Sequence, residues 1–431
     1  MRRGWPFARI CAGAGRSPRD RGATRMSAHQ NGVTMHGHGI EPGKNPSHRW
    51  LNHLLGAGVA WLIIGMAIAP AGASFNPGKL YQYILGFTLY LPALALLATQ
   101  PRSAVELWRK PLMPWVILLL AWGCVTLLWS NVSRPADEAA RNISILLFLI
   151  AWHGGIGRDV HRIRQLLIGC GLVMVPVALL AILKFFVHPP LNERLVGFGA
   201  MANANLAAAA MSAALLWLYP WKFHQLKYRI AQWLGLLVLG LFVLLTFTRS
   251  AWAALFAALI VMVLCRGGRR ALLYAGIIFV FGCVGVILVM PMLAERGWSL
   301  RPEIFMQAKA LFLQHPWGGL GQGGVFRFEA GGEVLTHAHN MFSQLAIELG
   351  LPGLLLWTGI WLALGWRGWC HRHETLGRIV LALWVFATVM VQFDLPHLLS
   401  SPRPGWLITW LPLALSMSLD RRTTAPATSL T

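Results

Sequence analysis

The residues best suited to chemistry lie in Thr336-His337-Ala338-His339-Asn340, immediately before an apolar run. A neutral imidazole near pH 7 can accept a proton from a sugar hydroxyl. His339, beside Asn340 at the mouth of the helix that the apolar run predicts, is therefore the candidate catalytic base. His337 reads as structural support. The two histidines could also bind a metal, but a His-x-His pair supplies two ligands where zinc takes three or four. His315 and His397 carry no spacing that ties them to the pair, so no metal site is expected.

Three arginines supply the second chemical feature. Arg194 lies in Glu193-Arg194-Leu195-Val196-Gly197, Arg249 in Thr246-Phe247-Thr248-Arg249-Ser250 between two apolar runs, and Arg301 at the head of a helix-like stretch. A guanidinium at a membrane boundary costs free energy unless it pairs or snorkels to the headgroups. Its planar fork of donors matches phosphate and never deprotonates. Three such groups facing one cavity would suit a diphosphate. Other signatures are missing. No carboxylate pair has the spacing of a glycosidase, and no Asp-x-Asp marks a nucleotide-sugar site. The run Gly318, Gly319, Gly321, Gly323, Gly324 lacks the Gly-Lys-Ser/Thr ending of a phosphate loop and reads as a tight turn. The six cysteines make no CxxC pair, so no structural disulfide and no cysteine metal site are expected.

The elements that position these residues follow from composition. The 431 residues are 56% hydrophobic and 12% charged, with a mean hydropathy of +0.56. A soluble chain carries about a quarter charged residues. Long apolar runs joined by short polar bridges predict membrane-spanning helices, each about 20 residues. Continuous rather than alternating runs exclude a β-barrel. The expected fold is an all-α polytopic transmembrane bundle of about 12 spans, near 51–70, 80–98, 112–130, 142–157, 164–187, 203–220, 230–248, 250–265, 271–293, 341–364, 377–394 and 404–419. The fourth has the shortest apolar core. The expected organisation is a disordered basic cytoplasmic tail (1–49), nine spans (50–293), a long periplasmic loop holding a surface helix and the catalytic motif (294–340), three spans (341–420) and a cytoplasmic tail (421–431).

Orientation comes from charge. With the N-terminus inside, every inner loop is basic: Arg102, Arg109 and Lys110; Arg158, Arg162 and Arg164; Lys222, Lys227 and Arg229; Arg266, Arg269 and Arg270; Arg367, Arg372 and Arg378. That is the positive-inside pattern. It accounts for the net charge of +22 without nucleic acid as a partner. Acidic residues such as Glu193, Glu303 and Asp394 fall on the outer side, where the reaction would occur.

With those motifs in hand, the chain resembles the O-antigen ligase/polymerase superfamily. His339-Asn340, then Gly350 and Gly353, is similar to the family's His-Asn-x9-Gly-x-x-Gly motif, with Leu354 replacing a terminal Thr or Val. Arg301 through His315-Pro316 to Gly319 and Gly321 resembles its Arg–helix–His-Pro–Gly-x-Gly segment, and Arg194-x-x-Gly197 with Asn203 and Asn205 resembles another of its loops. Arg249 stands where the family heads a helix with arginine, although Ala253 replaces an expected leucine.

The resemblance implies a multi-pass inner-membrane enzyme, with both termini cytoplasmic, acting at the periplasmic face without metal or cofactor. The donor would be a glycan on undecaprenyl diphosphate, the acceptor the lipid A–core oligosaccharide, in contact with membrane lipid. His339 would be the base, Arg194, Arg249 and Arg301 would hold the diphosphate, and His337, Asn340, Gly350 and Gly353 would support them. Rival readings are an O-antigen polymerase, a protein O-oligosaccharyltransferase and a lipid-linked glycan transporter. About eleven residues follow the last apolar run, fewer than the second rival leads one to expect. Few ionisable groups lie mid-span and no paired broken helices stand out, which speaks against the third.

Overall fold

The computed structural model describes residues 46–72, 76–191, 193–295 and 300–419. Each of the twelve apolar runs is helical. The helices are α1 (Pro46–Ile68), α2 (Lys79–Leu85), α3 (Leu91–Thr99), α4 (Pro101–Trp108), α5 (Met113–Thr126), α6 (Pro135–Ala151), α7 (Val160–Val187), α8 (Ala204–Leu218), α9 (Leu226–Leu245), α10 (Arg249–Leu264), α11 (Arg269–Glu295), α12 (Arg301–Gln314), α13 (Met341–Cys370), α14 (Thr375–Met390) and α15 (Trp410–Ser416). A π-helical turn, Gly86–Tyr90, joins α2 to α3, and another, Trp152–Ile156, continues α6.

Among the described residues six helical segments are long and apolar enough to cross a membrane, and four shorter ones are apolar. The fourth run gains length at its start. Pro135 opens α6, with Asp137 and Glu138 in the first turn, where a missing amide proton and negative charge both suit a helix N-terminus. The last run departs from a simple span. A 3-10 turn (Pro404–Leu407) precedes the seven-residue α15, and the segment is buried. Trp406 and Trp410 donate their indole N–H groups to the Ser400 and Leu398 carbonyls. At the centre lies α8, whose alanines 207–210, 213 and 214 have no exposed surface. Small side chains let neighbouring backbones approach closely where lipid gives no hydrophobic push.

The segment from Arg301 to Asn340 is folded against the bundle. Ile304 and Ala308 of α12 pack with Phe326, Phe328, Ala330, Ala338 and Ile347, while Phe305 and Met306 are exposed. The expected stretch is helical, and part of its apolar face is satisfied by the chain itself. A short hairpin, β1 (Phe328–Ala330) and β2 (Glu333–Leu335), pairs Phe328 with Leu335 and was not anticipated.

The glycine run crosses α13 where that helix breaks at Gly350, φ 65° and ψ −168°. Leu351 N–H donates to Pro316 O (2.7 Å) and Leu320 N–H to Ile347 O (2.8 Å), so the turn captures backbone groups that the break disturbs. Residues 46–49 of the expected tail begin α1; positions 1–45 and 421–431 lie outside the described residues. Cys124, Cys170, Cys265 and Cys283 are free thiols. Cys370 is disulfide-bonded, against the expectation of none, and its partner is not among the described residues.

Candidate functional site

One end of the bundle gathers the start of α8, the α9–α10 corner, the Arg301–Asn340 segment, the start of α13 and the end of α14. The opposite termini carry the basic residues: Arg162 and Arg164 in α7, Lys227 and Arg229 in α9, Arg266 after α10, Arg367 in α13 and Arg378 in α14. The helix directions thus segregate the basic loops from the candidate chemistry.

His339 sits at the site with φ +50°. Its Nδ1 lies 4.0 Å from Asp394 Oδ1, and its ring centroid lies 4.0 Å from that of His337. Asn340 fixes this arrangement by capping α13. Its Oδ1 accepts from Ser343 N–H at 3.0 Å, and its Nδ2 donates to Gln392 O (3.2 Å) and Gln392 Oε1 (3.0 Å). Met341 N–H reaches Val391 O at 2.9 Å, so the helix carrying the histidine is tied to the end of α14, one turn from Asp394.

Asp394 accepts from Leu395 N–H at 2.8 Å and from the Asn205 amide. Asn205 accepts in turn from Arg194 Nη2 at 2.7 Å. Arg194 also donates to Thr246 O and Thr248 Oγ1, both at 2.9 Å, so it braces the α9–α10 corner on which Arg249 stands. Arg301 donates Nε–H to Phe393 O at 3.0 Å, and its guanidinium lies 5.5 Å from the Phe393 ring centre. Burial lowers its pKa, Asp394 opposes that, and Arg249 adds to it. Arg301 is thus within electrostatic reach of both Asp394 and Arg249.

Burial also lowers the His339 pKa from its ordinary value, with Asp394 pulling it up and Arg301 pushing it down. His337 is lowered to about 4, by burial first and then by His339. Both rings are therefore neutral near pH 7 and able to accept protons.

Strain marks the same place. Among the described residues the non-glycine positions with positive φ are Glu193, Phe247, His339 and Leu395. Glu193 precedes Arg194, Phe247 separates Thr246 from Thr248, and Leu395 follows Asp394. Such backbone costs about 1–3 kcal/mol each and clusters at functional sites.

The predicted residues thus sort into three groups. His337, His339, Arg194, Arg249 and Arg301 converge. Asn340 holds the histidine loop. Gly350 and Gly353 shape α13 away from the reacting groups: a Cβ on Gly350 would lie 2.4 Å from Trp317 O, and Gly353 packs on Leu349. Asp394 was not singled out. Its signal was a carboxylate within Gln392-Phe393-Asp394-Leu395-Pro396-His397, a polar knot just past an apolar run in an acid-poor chain.

His337, His339 and Asp394 each bring one ligating atom within 4.8 Å of the others, a set that could hold a metal ion. Asp394 is already engaged by two donors, and Arg301 adds positive charge beside the rings. Both features oppose a cation there.

A helical multi-pass membrane protein with a histidine–carboxylate centre ringed by guanidinium groups is the class that fold and site define. Residues 234–358 match the family model described as O-antigen ligase. The match runs from α9 into α13 and takes in Arg249, Arg301, His337, His339, Asn340, Gly350 and Gly353. The chain is also 26% identical over 382 residues to an O-antigen ligase of Pseudomonas aeruginosa, covering 87% of this chain and 93% of that protein. The resemblance read from the motifs is borne out: the chain is similar to the O-antigen ligase family model over residues 234–358 and to the Pseudomonas aeruginosa ligase along most of its length.

Proposed function

We propose that the protein transfers O-antigen polysaccharide from undecaprenyl diphosphate to lipid A–core oligosaccharide at the periplasmic face of the inner membrane. The convergence of His339 with Arg194, Arg249 and Arg301 around Asp394 carries this reading. The basic loops at the far helix ends support an orientation with both termini and those loops in the cytoplasm. Residues 50–293 and 341–420 then supply the membrane-embedded helices, and 294–340 the periplasmic loop.

His339 Nδ1 faces Asp394, which favours the tautomer protonated on Nδ1 and leaves Nε2 as the base. Nε2 takes the proton of an acceptor hydroxyl as its oxygen attacks the anomeric carbon. The bond from that carbon to the diphosphate oxygen breaks, and the electron pair leaves with undecaprenyl diphosphate. Arg301 and Arg249 neutralise the growing charge on the leaving group. Arg194 holds the corner on which Arg249 stands. The guanidinium groups do the work that a divalent cation does elsewhere, so the transfer is read as metal-independent and without cofactor.

The test is His339→Ala at the natural locus. Core left uncapped, with polymer accumulating on its lipid carrier and normal protein levels in the membrane, is the expected result. Single repeats on core from a strain lacking the protein would instead identify a polymerase, and normal capping by His339→Ala would remove this histidine from the reaction.

A further inference from the structure

Beyond His337 lies a polar cavity of about 220 Å³, whose walls include Glu138, Arg141, Thr336, Gln344, Glu348 and His397. It is reached from the candidate base through imidazoles. The His337 ring lies 4.0 Å from His339 and 5.8 Å from His397, centre to centre. The contacts therefore run in order from Arg194 through Asn205, Asp394, His339, His337 and His397 to the cavity. The guanidinium cluster and the cavity meet the base through different neighbours.

The wall groups are held by one another. Arg141 donates to Glu138 one turn earlier on α6. Gln344 donates to Glu348 Oε1 at 2.6 Å and accepts from Ala338 N–H at 2.9 Å, which locks the cavity wall to the His337–His339 strand. Two carboxylates, one guanidinium, an amide, a hydroxyl and an imidazole face one space, without excess positive charge. That balance does not suit a diphosphate. It suits a ligand whose groups both donate and accept, since a carboxylate takes hydrogen bonds from two neighbouring hydroxyls. Phe326, at the same cavity, offers an apolar face of the kind that the C–H side of a sugar ring covers. Drug-sized ligands need about 300–1,000 Å³, so the space fits a single pyranose ring.

We propose that this cavity seats a pyranose of the acceptor saccharide, next along the chain from the sugar whose hydroxyl meets His339. The assignment rests on the reading of the protein as a glycan ligase. The donor also carries sugars, but its diphosphate belongs with the arginines. In-line attack brings the acceptor to the anomeric carbon from the side away from the leaving group.

The experiment uses full-length protein in nanodiscs with lipid-linked O-antigen and lipid A–core, comparing wild type with Glu348→Gln, which keeps shape and removes charge. The acceptor KM is expected to rise about tenfold or more while the donor KM holds. Saturation-transfer NMR with core oligosaccharide freed of lipid A should show ring-proton signals on wild type that weaken in the variant. Thr336→Val, which deletes one hydroxyl at the wall, repeats both measurements if Glu348→Gln does not fold. A rise confined to the donor KM, or unchanged acceptor KM and NMR signals as expected of a merely hydrated recess, overturns the assignment. Absence of any ligated product from wild type would instead sink the ligase reading.

Discussion

Gly350→Ala should unseat the glycine turn from α13 and so destabilise the platform of the site. At φ 65° and ψ −168° the residue occupies backbone space essentially reserved for glycine, which costs an alanine about 1–3 kcal/mol. The new Cβ would stand 2.4 Å from Trp317 O and 2.6 Å from Trp317 C, so the turn must also move. Movement stretches the Leu351–Pro316 and Leu320–Ile347 backbone bonds, worth about 1 kcal/mol each. The sum is about 3–5 kcal/mol. Gly359, further along the same helix, is the control: its added Cβ meets nothing within 4 Å, and alanine there should be neutral or stabilising by up to about 1 kcal/mol. Thermal unfolding in detergent, followed by loss of monodisperse protein, should show Gly350→Ala several degrees below wild type and Gly359→Ala at or above it. Equal midpoints for the two variants would refute the account of the break.

Other outcomes follow from the electrostatics. Asp394→Asn should slow transfer by between about fivefold and a thousandfold, the span between water-like and partly buried values for two charges 4 Å apart. Because Asp394 raises the His339 pKa, the acid limb of kcat/KM should move to lower pH; an unmoved limb would separate the two residues. His337 is held neutral down to about pH 4. Between there and its unfolded value near 6.5 the unfolded chain binds a proton that the folded chain refuses, so stability falls as pH drops through that window. His337→Gln should flatten the dependence of the melting temperature on pH from 7 to 4, and an unchanged slope would count against its depressed basicity. Exhaustive chelation with EDTA should leave transfer rates unchanged; loss restored by a divalent ion would assign a metal to His337, His339 and Asp394.

Much of the architecture was legible because apolar runs of helical length have few alternatives when backbone polar groups must be satisfied within the segment. Arg194, Arg249 and Arg301 were legible as charges placed where charge is costly. What could not be read was long-range partnership. Asp394 stands 55 positions from His339, and nothing local says that Asn340 will tie the two loops together through Gln392. The bonds of Arg194 were hidden for the same reason: its charge was evident, but its contacts with Thr246 and Thr248 depend on how α9 meets α10. The hairpin at Phe328–Leu335 was hidden by its three-residue strands, too short to show alternation. That the chain itself covers part of the apolar face of α12 was hidden because amphipathicity tells that a face needs cover, not whether lipid or protein supplies it.

The central claim is that the His339 imidazole removes the proton of the acceptor hydroxyl. Its most direct test is single-turnover transfer by purified protein in proteoliposomes, with labelled lipid-linked glycan and saturating lipid A–core. His339→Ala should bind the donor as wild type does yet transfer it at least about a hundredfold more slowly. Transfer by His339→Ala at the wild-type rate would contradict the account.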